Sequence, residues 1–122
     1  MEDILMREID RIGEMMLQIA RRLGLFSKAL PNYTLNDVKK ESVAAELPFS
    51  IEEVLEQENP VSYLVEKEKI SDNALETFVD ILFHSDMEES KKKAILADAI
   101  TYLDSKGSFS FKLHSLSSDG QI

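Results

Sequence analysis

Apolar residues recur at helical spacing from the start of the chain. Leu5, Ile9, Ile12, Met16, Ile19, Leu23 and Phe26 follow one another at alternating steps of four and three, which is a heptad stripe. Arg7, Asp10, Arg11, Glu14, Gln18 and Arg21 fall between them. The pattern predicts an amphipathic helix from Ile4 that ends at Gly24, the residue best able to adopt the left-handed cap conformation. Ile4, Met6, Met15 and Leu17 widen its apolar surface beyond one stripe. Gly13 stands mid-helix, where glycine costs about 1 kcal/mol against alanine, and so marks a close helix–helix approach.

Shorter periodic runs follow, each with a start signal. Thr34 with Asp37 three residues on predicts a capped helix over 35–46. Ser50 and Glu53 open another, which Asn59 and Pro60 interrupt. Proline suits the first helical position, so Asn59-Pro60 starts a third short helix burying Val61, Leu64 and Val65. Ser71 or Asp72 caps a longer one carrying Ala74, Leu75, Phe78, Val79, Ile81, Leu82 and Phe83. The last runs from about Glu88 to Ser105, buries Ile95, Leu96, Ala99, Ile100, Tyr102 and Leu103, and stops at Gly107. The short connection makes these two an antiparallel αα-hairpin.

Beyond Gly107 the pattern changes. Phe109, Phe111 and Leu113 alternate with Ser110, Lys112 and His114, the two-residue period of extended chain. An extended segment whose aromatics pack back on the hairpin is the expectation, with residues 115–122 a loose tail. Residues 1–114 then form one helical domain, all-α, with five or six helices as stacked antiparallel hairpins. A chain of 122 residues is long enough for one modest core.

Charge narrows the partners. The net charge is −9, with residues 1–30 neutral and the excess of acid in 31–106. Nucleic acid and anionic lipid surfaces both require clustered cations and are disfavoured. Lys91-Lys92-Lys93 reads as a solvated face, paired to Glu88 and Glu89 one turn earlier. The chain has no cysteine, which excludes disulfides and thiolate chemistry. Glu2 and Asp3 stand where a secretory leader would be basic, no run is long and apolar enough to span a bilayer, and cytoplasmic location is the expectation.

Candidate chemistry is sparse. His84 ends an apolar run beside Ser85 and Asp86. Adjacent residues on a helix do not face one another, so they make no triad, and His84 reads as a helix-terminal residue bonding the last carbonyls. His114 reads as surface. Glu52 and Glu56 share a helix face, but no Glu-x-x-His accompanies them as a carboxylate-bridged metal site requires. No glycine-rich phosphate loop exists. The expectation is no enzyme, no metal and no cofactor.

Over residues 61–111 the hairpin pattern resembles the tetratricopeptide class of helical repeat, and small bacterial proteins built on that plan. With Phe78 at the first aromatic position of the consensus, Ile81, Leu82 and Ala94 match it. Asp98, Thr101 and Lys106 depart from it, where an aromatic, an alanine and a proline are expected, and no second copy follows at the ~34-residue period. The resemblance implies a scaffold that binds another protein.

The expected function is therefore a non-catalytic protein–protein interaction or structural module, its partner another protein or a second copy. The candidate surface is the N-terminal helix, through Ile4, Met6, Ile12, Met15, Met16, Ile19 and Leu23. A small-ligand domain, with a pocket lined by Phe78, Phe83 and Tyr102, is the alternative. An enzyme would require a buried, charge-coupled His84.

Overall fold

The computed structural model describes residues 10–27 and 31–120. Within them the chain is all-helical and contains no strand. Seven helices follow in order: α1 Arg11–Leu23, α2 Leu35–Ala44, α3 Ile51–Glu56, α4 Pro60–Glu66, α5 Asp72–Phe83, α6 Glu89–Ser105 and α7 Phe111–Gly120.

Local capping sets most of the boundaries. Thr34 Oγ1 accepts the Asp37 N–H at 3.1 Å while Asp37 accepts the Thr34 N–H at 3.0 Å, so α2 opens on a reciprocal box. Ser50, Asn59 and Ser71 accept the backbone N–H three residues on and open α3, α4 and α5. At the end of α1, Gly24 takes φ +83°. The Gly24 N–H then reaches Arg21 O at 3.1 Å and the Leu25 N–H reaches Ala20 O at 3.0 Å, the paired bonds of a Schellman ending.

The core is organised around α5. Eight of its twelve residues are buried, because apolar side chains surround it on more than one stripe and α1, α2, α6 and α7 all pack on it. Phe78, Leu75, Ile81 and Leu82 are fully buried, each worth about 1.5–3 kcal/mol relative to exposure. From α1 come Met16 and Ile19, each 1% exposed, with Ala20. Two long-range bonds fix the loop before α2. The Tyr33 hydroxyl donates to Ile81 O at 2.6 Å, and the Leu35 N–H donates to Asp86 Oδ1 at 2.7 Å.

Three expectations are corrected. The five or six helices become seven among the described residues, because the tail folds as α7 rather than staying extended. Ser110 Oγ accepts the Leu113 N–H at 3.2 Å and opens that helix. Leu113 and Leu116, three apart, face the core, whereas Phe111 is 78% exposed and Phe109 also faces solvent. The alternation of Phe109, Phe111 and Leu113 therefore does not reflect two faces of a strand. Second, Gly13 faces no neighbouring helix backbone. The Asp10 side chain folds over it, so a Cβ at Gly13 would stand 2.8 Å from Asp10 Cγ, and the Asp10 carboxylate accepts the Ser71 hydroxyl. Third, Lys92 is not solvated. It is 9% exposed on the inward side of α6, with Nζ 3.5 Å from Glu89 Oε1, while Glu88 accepts the Ser90 hydroxyl at 2.5 Å instead.

Candidate functional site

The α3–α4 junction, Gln57–Asn59, is exposed and bordered by three depressions. α3 ends at Glu56, where Gln57 Nε2 donates back to Glu53 O at 3.0 Å. Asn59 then restarts the chain as α4. Only seven residues long, α4 packs on α3 and α6 and is too short to cover the α6 face beside it. A depression of about 310 Å³ lies between α4 and α6 on Val61, Val65 and Tyr102. A second of about 230 Å³ shares Asn59, Ser62 and Glu66 with it. A third of about 210 Å³ shares Asp98 with the first and Gln57 and Glu58 with the second. The three depressions share lining residues and make a grooved patch of surface around Gln57–Asn59.

Its charge is uneven. Glu66 and Asp98 line the largest part, which no Lys or Arg lines. Glu58 borders the other two, with Lys67 at one end and Lys91 at the other. Lys106 lies close by over the Tyr102 ring, 5.3 Å from its centroid, but its Nζ is bound to Asp72 Oδ1 at 3.0 Å.

A separate polar cluster ties α5 to α7. Asp80, with its side chain 8% exposed, divides its carboxylate between His84 Nδ1 at 3.1 Å and Lys112 Nζ at 3.3 Å. His84 Nδ1 is also 2.9 Å from Asp80 O. Two acceptors facing one nitrogen place the proton on Nδ1. The hydrogen bond that His84 donates to the Asp80 carboxylate raises the His84 pKa, against burial and the Lys92 ammonium, which lower it. Burial, with the Asp80 charge, likewise pushes the Tyr33 phenol up. Among the described residues no hydroxyl or amine is bonded to His84 Nε2, so the pair has the orientation of a base and its orienter without a bonded nucleophile.

Of the expected interaction surface, Met16 and Ile19 are core residues, Ile12, Met15 and Leu23 are half-buried, and Ile4 and Met6 lie outside the described residues. The stripe through Met16 and Ile19 thus packs inward, while Leu17 on the other side of the helix is 38% exposed. Of the residues expected around a ligand pocket, Tyr102 lines the groove, while Phe78 is buried in α5 and Phe83 is half-buried at its end. Among the described residues no group of three or more His, Cys, Asp or Glu is arranged to hold a metal ion, and no helix is long and apolar enough to cross a membrane.

Sequence reading missed the groove and Asp80. The groove residues come from α3, α4 and α6 and have no common spacing. Asp80 did carry a signal, since it is the one charged residue within the apolar run from Phe78 to Phe83. No protein-family model matches the chain, and no curated protein or solved structure matches it.

Proposed function

We propose that the protein is a non-catalytic protein–protein interaction module that docks a partner segment in the groove between α4 and α6. The open depression between α4 and α6, with Val61, Val65 and Tyr102 on its floor and two more depressions beside it, carries the reading. An open apolar floor bounded by polar residues, rather than one enclosed cavity, suits a peptide segment better than a compact small molecule. The helical-hairpin character of α5 and α6, and the expectation of a scaffold, agree with it. Asp80 binds His84 at the end of its own helix and Lys112 of α7, which gives the cluster a structural role.

The test is site-specific photo-crosslinking in the cells that make the protein. A photoreactive residue replacing Thr101, exposed in the groove, is expected to yield a discrete light-dependent adduct with another protein. The same residue replacing Gln18, exposed on α1, is expected to yield none. Adducts from Gln18 and none from Thr101 would move the docking face to the N-terminal helix.

A further inference from the structure

The groove's chemistry also constrains what it docks. We infer that its occupant is an apolar-anchored segment of another protein carrying lysine or arginine beside the anchors, an inference that rests on the docking reading above. The floor of Val61, Val65 and Tyr102 offers contact to apolar side chains. Above it stand Glu66 and Asp98, both exposed and neither in an ion pair or side-chain hydrogen bond. The nearest cation around the floor, Lys106, is held by Asp72.

Lys67 and Lys91 line the two neighbouring depressions, each with Glu58, and neither lines the one between α4 and α6. The charged side chains of that depression are therefore acidic alone, and complementarity asks for a cation beside the apolar anchors of the incoming segment. A second copy of this chain, itself at −9, meets the groove with like charge, and an anionic lipid or nucleic-acid surface does the same. A lysine or arginine side chain satisfies both parts of the site, since its methylene stem lies on apolar surface while its head reaches a carboxylate.

The test uses three short fluorescent peptides and the full chain. One carries leucines a helical turn apart and paired arginines beside them. The second replaces the arginines with glutamates, and the third keeps the arginines but replaces the leucines with serines. Binding is followed by anisotropy at low and physiological salt, and located by amide NMR shifts. The first peptide is expected to bind, to shift Val61, Val65 and Thr101, and to weaken as salt rises. The other two are expected to bind roughly tenfold or more weakly.

Glu66→Lys with Asp98→Lys is expected to weaken the first peptide about tenfold, while Glu14→Lys on the exposed side of α1 leaves it unchanged. These positions are exposed, and circular dichroism checks that helicity is retained. If the glutamate peptide binds the groove as tightly as the arginine peptide, the inferred charge preference is wrong and the docking reading stands. If the arginine peptide binds equally well without leucines, or Glu14→Lys weakens it as much as the groove pair does, the attraction is the general field of an acidic protein and the inference fails. If no peptide shifts groove amides, both readings fail.

Discussion

Single residues in this protein are understood through what they bond to rather than through their intrinsic preferences. Gly13 is the sharpest case. Helix propensity alone favours alanine there by about 1 kcal/mol, but a Cβ would displace the Asp10 carboxylate that accepts the Ser71 hydroxyl, a bond worth a similar amount. Gly13→Ala is therefore expected to change unfolding free energy by close to zero in the natural chain. In an Asp10→Ala background it should stabilise by about 1 kcal/mol. Urea denaturation of the four proteins of that cycle decides it, and an equal effect in both backgrounds would remove Asp10 from the explanation. Lys92 makes the same point. One residue of a basic run is buried and its neighbours are not, because only one of three consecutive helical positions faces inward.

Among the elements, α7 shows most clearly where sequence and structure part. Capping chemistry is local, so Thr34 with Asp37, Ser50, Asn59-Pro60, Ser71 and Gly24 were all readable in advance, and each opens or closes the element expected. α7 was not, because Phe109 and Phe111 invited burial by their size while it is Leu113 and Leu116 that turn inward. What holds it is partly polar: Lys112 to Asp80, and the Ser110 hydroxyl to Glu76 at 2.5 Å. The tie has a pH signature. His84 from α5 faces Asp80 on its own helix, Lys92 on α6 and Lys112 on α7 through the shared carboxylate. Its pKa is raised in the folded state, so folding favours the protonated form. That contribution is fully present below the ordinary histidine value of about 6.5 and is lost as pH rises through the folded value. Unfolding free energy measured across this range should fall with pH in the natural chain, and His84→Gln should flatten that part of the profile. A profile that stays unchanged in the variant would mean that the Asp80 bond does not discriminate between the two forms of the ring.

At the scale of the molecule, the central feature is a chain that completes its own core around α5 and leaves a groove beside α4. The all-helical class was legible from composition and periodicity. The central place of α5 was not, because periodicity shows that a face is apolar and not which helix covers it. The N-terminal stripe had the same ambiguity: its pattern suits a core wall and an association surface, and the two can hold together, with Met16 and Ile19 packed inward and Leu17 exposed. The groove was beyond sequence reading for a different reason, since Glu58, Glu66 and Asp98 meet only after α4 folds against α6. Absolute mass by light scattering, over a wide range of concentrations, tests this account most directly. A chain whose α1 stripe is used internally should remain a monomer near 13.9 kDa throughout. A concentration-dependent dimer that Met15→Glu dissociates without loss of helicity would contradict it, and would return the docking face to α1.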